Sequence, residues 1–408
     1  MSEQTPFPGS GGPFGDLMRD LARLLSAQGP VNWEVARQLA AWTATEGQAE
    51  ANPDPIARIR TEELLRVADM HVAEATGLAT SRRGWLSVRC TTKTEWAAST
   101  LEAWRELLSR LAVSMGGQAS AAGAVGGPGG TGAFPGEAGM GSMDQLLGNL
   151  PQVLGPLMFG AQAGTMVGHL ANRAMGQYDM PMPAPEIDEL LNVPVSVDGF
   201  AGEWSLPADD VRMYVCLRDV TYHSVLCRPH IGTFFREHLS AYASAFQMDL
   251  ASLQDKLGGI DPTDPSSFQR SLGDPDQLLA EMQSDQQRRL LVPFSAFVAV
   301  LSGYTDFVIE KVGRRLVGSY GLVAEAFRRR QVEDGPGQRA LGKLLGVEVD
   351  QGTVENGRAF VNGVVERAGE DALRRLWESD ATLPTPAEIG APGLWLARME
   401  YAPGTGSE

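Results

Sequence analysis

Residues 207–228 read PADDVRMYVCLRDVTYHSVLCR, and the reading of this stretch decides the kind of fold the chain adopts. Pro207 suits the first position of a helix, where its missing N–H would have no partner anyway. Asp209 and Asp210 put negative charge in the first turn, where it complements the helix dipole. Met213, Cys216, Leu217 and Val220 then recur at three- and four-residue spacing and define a buried face. In the middle lie Arg218, Asp219 and Tyr222, followed directly by His223.

That order of residues overlays a known metal-binding spacing. In His-Glu-x-x-His the helix places two imidazoles on one face to hold Zn²⁺, and the glutamate deprotonates the bound water. Here Arg218 and Tyr222 take the imidazole positions and Asp219 takes the glutamate position. A guanidinium has no lone pair to donate and repels a cation. Shifting the register so that His223 becomes the second histidine puts Asp219 first, but leaves Val220 as the base. One rescue remains: Asp219 and His223 stand four residues apart and could share a zinc ion with Asp306 or another acid. A helix-surface hydrogen bond or a satisfied buried pair is the commoner use of that spacing. The reading is therefore a site without metal, in which Arg218 supplies the lost positive charge, with Asp219 and Asp306 as candidate partners.

A chain of 408 residues, 43% hydrophobic and 21% charged, can bury a substantial core. Its 34 basic and 50 acidic residues give a net charge of −16, which argues against binding nucleic acid through bulk charge. Cys90, Cys216 and Cys227 form no CxxC pair, and a helix would hold the last two roughly 16 Å apart, too far for a disulfide. With no basic and apolar leader at the N-terminus, this favours a cytoplasmic setting.

Periodicity predicts a mainly α protein. Helices are expected over residues 16–27, from about Val31, over 55–75, over 97–115, from Pro229 and over 291–316. β structure is limited to a hairpin at most within 84–96 and a strand at 192–197. The aromatic face of Phe234, Phe235, Tyr242 and Phe246 reads as core, and Trp377 and Trp395 as packing anchors. The divisions follow composition: a disordered tail at 1–15, an N-terminal helical region at 16–115 and a Gly/Ala-rich flexible loop at 116–142. The core with the altered motif covers 143–334, a C-terminal helical region 335–401 and a tail 402–408. Residues 249–289 read as a mobile polar excursion. Gly160, Gly164 and Gly168 repeat every fourth residue, which suits tight helix packing, and prolines and polar residues break that run as a membrane span. Arg328, Arg329 and Arg330 read as a solvated helix end. His71, His169, His230 and His238 show no ligand pairing.

Several stretches in order resemble one family: QGPVNWEVARQLA, GQYDMPMP, the 207–230 helix with RPH, LSGYTDFVIEKVGRRL and GRAFVNGVVERAG, followed by ALRRLWES, LPTPAEI and WLARM. They are similar to the actinobacterial zincin-like hydrolases, often labelled zinc-dependent metalloproteases and sometimes tied by name to coenzyme F420 biosynthesis. The resemblance implies a mostly helical, zincin-like fold, with a third zinc ligand from a Glu-Gly-Tyr segment. In this chain that segment is Ser302-Gly303-Tyr304. Carried over, the degenerate motif positions are Arg218, Asp219, Tyr222 and Ser302, none of them intact for catalysis. His223, Tyr304 and Asp306 are the candidate lining of the former substrate cleft. The expectation is a non-catalytic homologue that binds a peptide or protein partner, with no nucleic acid and no membrane span. The alternative is an active zinc hydrolase rearranged around Asp219 and His223. Nothing in the sequence specifies an oligomeric state.

Overall fold

The computed structural model of the protein describes residues 29–123, 141–180, 182, 188–245, 285–332, 335–345 and 351–401. Helices dominate, and several begin at residues whose side chains meet their free N–H groups. Helix α1 (Trp33–Thr45) starts at Asn32, whose side chain accepts from the Val35 amide. Helix α2 (Pro55–Thr76) starts at Asp54 with Pro55 in its first turn, and ends on Gly77 in the left-handed region. Strand β1 (Ser87–Cys90) leads to helix α3 (Lys93–Ala103), whose Thr92 and Glu95 form a capping box. Helices α4 (Arg105–Gly123) and α5 (Gly141–Arg173) follow, then strand β2 (Glu189–Asn192) and helix α6 (Pro194–Glu203).

The central helix α7 (Ala208–Leu226) has Pro207 as its cap and is buried over most of its length beyond Asp210. Helix α8 (Pro229–Ser244) turns back from it. Helix α9 (Asp285–Leu316), α10 (Tyr320–Val332), α11 (Pro336–Leu345) and α12 (Gln351–Ala368) complete the core. Two short 3₁₀ segments and helices α13 (Pro386–Ile389) and α14 (Pro392–Tyr401) close it, with Trp377 and Trp395 fully buried. Phe235 packs edge-on against Phe294 and Phe297, so the aromatic face of α8 is core as expected. Helix α9 is long and apolar enough to cross a membrane by length and composition, yet 72% of its apolar window is buried inside the protein.

The glycine repeat of α5 explains its closest packing. A Cβ on Gly160 would lie 2.4 Å from the Asn32 carbonyl oxygen, and one on Gly164 2.3 Å from that of Ala36. On Gly168 it would lie 2.6 Å from the Thr43 side chain, so α5 and α1 meet backbone to backbone. Gly303 and Gly357 join α9 to α12 in the same way. The motif glycine of the Ser-Gly-Tyr segment is therefore a packing residue.

Four expectations need correction. The 84–96 stretch makes no hairpin: β1 pairs in parallel with β2, with Cys90 opposite Asn192. Parallel strands require a long crossover, which α3, α4 and α5 provide. The strand expected at 192–197 ends at Asn192, because Pro194, suited to the first turn, opens α6 instead. The Gly/Ala-rich stretch is partly helical: α4 runs to Gly123 and α5 begins at Gly141. Alanine's helix propensity, with continuity from α4, outweighs the glycines there. Fourth, α9 begins at Asp285, inside the stretch read as a mobile excursion. The helix expected at 16–27, Phe246 and the rest of that excursion lie outside the described residues.

Replacing Gly164 with valine should destabilise the fold by about 1–3 kcal/mol through overpacking. Gly199, at an exposed position of α6 with open space around its Cβ position, should gain about 0.5–1 kcal/mol when replaced by alanine. Denaturant titrations of the two variants separate these signs.

Candidate functional site

The altered motif lies where α7, α9 and the loop at 174–180 meet. The guanidinium of Arg218 points into that loop. Its Nη1 donates to Asp179 Oδ1 at 2.7 Å, and its Nη2 donates to the carbonyls of Tyr178 at 2.9 Å and Asp179 at 3.2 Å. Both side chains are nearly buried, at 11% and 13% exposure, so this ion pair is shielded from water. Burial opposes ionisation of Asp179, but Arg218 and Arg330 outweigh it and hold the carboxyl below its usual range. Burial likewise opposes the charge on Arg218, and Asp179 more than restores it.

Asp219 faces the same loop from the other side. Its two oxygens accept from the amides of Gln177 at 2.9 Å and Tyr178 at 3.1 Å. A Cβ on Gly176 would come within 2.0 Å of Asp219 Oδ2, so only glycine permits this approach. Burial pushes the Asp219 carboxyl up to about 7, against Arg218 and the two amides. At the glutamate position of the motif, this acid is committed to holding backbone.

His223 is the centre of a second buried chain. Its Nδ1 lies 2.8 Å from the Tyr178 hydroxyl and its Nε2 3.4 Å from Asp188. Asp188 also accepts from the amides of Arg82 and Arg83. An ionised carboxylate only accepts, so Nε2 carries the proton and Nδ1 accepts from Tyr178. Burial lowers the His223 pKa despite Asp188, and the imidazole is neutral.

The positions the resemblance assigns as ligands do converge. Tyr222 on α7 and Ser302 on α9 are both buried and lie near one another, and Arg218 sits over the Tyr222 ring at 5.8 Å. Arg218, Tyr222 and Ser302 thus gather around one point, but as guanidinium, phenol and hydroxyl. Catalytic zinc normally takes three protein donors drawn from imidazole, thiolate and carboxylate. Among the described residues no three His, Cys, Asp or Glu side chains gather into a metal site. The donor set does not fit zinc.

Several residue assignments change. Arg218 takes Asp179 as its ion-pair partner, whereas Asp219 is held by the loop amides and Asp306 by Arg358, whose Nε lies 2.8 Å from Asp306 Oδ2. Asp219 and His223 share one helix face, but the Tyr178 backbone and hydroxyl lie against both and engage each separately. His223 and Tyr304 are buried rather than at the surface of a cleft: the first lies between Tyr178 and Asp188, and the second packs edge-on against Trp377. Arg330 is no solvated helix end; it donates to the Arg173 carbonyl and lies 4.0 Å from Asp179. Arg328 and Arg329 do remain exposed beside Glu325. The acid that matters, Asp179, lies in GQYDMPMP about forty residues before Arg218, and no spacing rule links them.

Asp306 does line a cleft, of ≈ 800 Å³, between α9, the turn at 317–319, α10 and α12. Tyr214, one turn before Arg218, and Gly303, beside Ser302, form its inner wall. The cleft therefore abuts the altered motif.

Residues 31–396 match the model of the zincin-like metallopeptidases, and the chain belongs to that family. The fold is also shared with a crystal structure of a candidate hydrolase with a novel fold from Chloroflexus aurantiacus. The TM-score is 0.63 at 20% identity, covering 91% of this chain and 100% of that one. At that identity the likeness is one of fold. No curated protein matches the chain.

Arg218→Met should cost about 3–5 kcal/mol, because buried Asp179 keeps the amides of Met175 and Gly176 but is left with the more distant Arg330 as its cation. Combining it with Asp179→Leu should recover a large part of that loss in a double-mutant cycle. Asp219 gives a pH signature of definite sign. Its folded pKa lies above the unfolded value of about 3.9, so its contribution is full below that value and is lost as pH rises toward about 7. Stability of the wild type minus that of Asp219→Asn should therefore fall across this window, and chemical denaturation at several pH values checks the slope.

Proposed function

We propose that this chain is a zincin-like protein that has given up metal-dependent hydrolysis and acts by binding a peptide or protein partner. The observation that carries the reading is the Arg218 guanidinium, locked by Asp179 and two carbonyls at the first metal-ligand position. A fixed monovalent cation supplies charge to the neighbouring acids. It offers no open coordination position, no Lewis acidity and no route to an activated water. The former base position is engaged with the loop amides, which removes the second requirement of the hydrolytic reaction. What the architecture keeps is the ≈ 800 Å³ cleft beside the motif, large enough for a peptide segment. Three cysteines without a disulfide suit a reducing, cytoplasmic setting.

Purified without chelator, the protein should carry zinc well below one equivalent by mass spectrometry, and EDTA should leave its melting temperature unchanged. Stoichiometric zinc together with EDTA-sensitive peptidase activity would instead establish the rearranged site around Asp219 and His223. Partner capture from native extract should survive EDTA and should be lost when the cleft is filled by Gly303-independent substitutions such as Asn362→Trp.

A further inference from the structure

Away from the motif, two surface features stand at opposite ends of one extended segment, and their chemistry fits them to each other. Residues 85–92 run from a loop tip through β1 to the cap of α3. At the tip, Trp85 is 63% exposed and makes no ring contact among the described residues. Arg83 beside it is exposed, and its guanidinium has no ion-pair partner among them. The tip is nevertheless held in shape. Buried Asp188 accepts from the amides of Arg82 and Arg83, and Gly84 turns the chain in the left-handed region. Tryptophan and arginine are residue types that anchor protein interfaces, and a loop already fixed loses little entropy on docking.

The other end of the segment opens on a cavity of ≈ 390 Å³ between the 46–54 loop, Thr91 and Thr92, and the start of α6. Ala49, Ala51, Pro53, Ala57, Pro194 and Val195 give it apolar walls, and Val195 is 57% exposed. Ligand pockets run from about 300 to 1,000 Å³, so this one suits a single aromatic side chain. Glu50 and Asp54 in its lining accept from backbone amides and meet no cation among the described residues. Lys93, also in the lining, bonds to Asn172. An apolar socket with acids around it matches an indole flanked by a guanidinium.

The two features face the same way. Side chains alternate along an extended segment, so Trp85, Arg89 and Thr91 project to one side. Arg89 is exposed there and pairs with Glu189 at 3.0 Å, and Thr91 lines the cavity. Six residues at ~3.3 Å each put Trp85 roughly 20 Å from Thr91, too far for the tip to fill the socket of its own chain. A two-fold axis near Arg89 exchanges the two ends, so the tip of each copy falls on the socket of the other.

We propose that the chain forms this symmetric dimer, with Trp85 of each copy in the cavity of the other and Arg83 against the acids around it. The occupant of the cavity is therefore a second copy of this chain. The interface shares no lining residue with the ≈ 800 Å³ cleft and stands independently of the function proposed above.

Sedimentation velocity of the full chain at physiological salt, across a hundredfold range of micromolar concentrations, tests this. The wild type should pass from monomer to dimer in that range. Trp85→Ser and Val195→Asp should each weaken dimerisation at least tenfold. Both should melt with the wild type, because the replaced side chains are exposed. Mixing the two variants is decisive. A mixed dimer joins the intact tip of one to the intact socket of the other, whereas either variant alone has no intact contact. The mixture should therefore associate at least fivefold more tightly than either component. A wild type that stays monomeric overturns the proposal. A dimer that Trp85→Ser leaves unchanged, or a mixture no tighter than its components, places the interface elsewhere and overturns it equally.

Discussion

A guanidinium removed from water costs several kcal/mol unless its charge and its N–H groups are met, and this requirement organises the centre of the molecule. Arg218 meets it with one carboxylate and two carbonyls, all from the segment at Tyr178 and Asp179. That segment can lie so close to α7 only because Gly176 has no side chain and Asp219 accepts its amides. Tyr178 then reaches His223, and Asp188 secures the far side of the imidazole. One buried ion pair thus ties a loop to a helix, and the polar groups around it are satisfied by the same few residues.

An arginine can replace part of what a metal does. Both put positive charge among acids and both hold structure in place. Arginine differs in having a fixed charge and only donors, so it binds carboxylates and carbonyls but cannot activate water. Family membership is therefore compatible with a guanidinium, a phenol and a hydroxyl at these positions: the packing of the scaffold depends on filled space and balanced charge, which Arg218, Tyr222 and Ser302 provide. Tyr222 and Ser302 are both buried where α7 packs on α9.

Much of the architecture was legible because it repeats at helical period. The core face of α7, the aromatic face of α8 and the apolar length of α9 all follow from side chains three and four residues apart. The glycines of α5 were legible for the same reason, since a four-residue repeat can mean only a face without side chains. Short strands were harder. Four-residue segments such as 87–90 carry little alternation, and their parallel pairing depends on partners about one hundred residues away. The site divided in the same manner. Arg218, Asp219 and Tyr222 could be placed from spacing within one helix, whereas the roles of Asp179, Asp188 and Arg330 could not, because each comes from another element.

What the sequence alone determined is the helical framework and the chemical character of residues 218–223: an arginine and a tyrosine at the spacing where His-Glu-x-x-His would place its imidazoles need no coordinates to be recognised as poor zinc ligands. What only tertiary structure decided is which acid answers which arginine. Asp179 rather than Asp219 or Asp306 pairs with Arg218, because the loop at 174–180 brings it within 2.7 Å while Asp306 is drawn to Arg358. Periodicity acts along the chain and can be read there, whereas charge pairing acts through space and is settled only when the folded backbone brings the partners together.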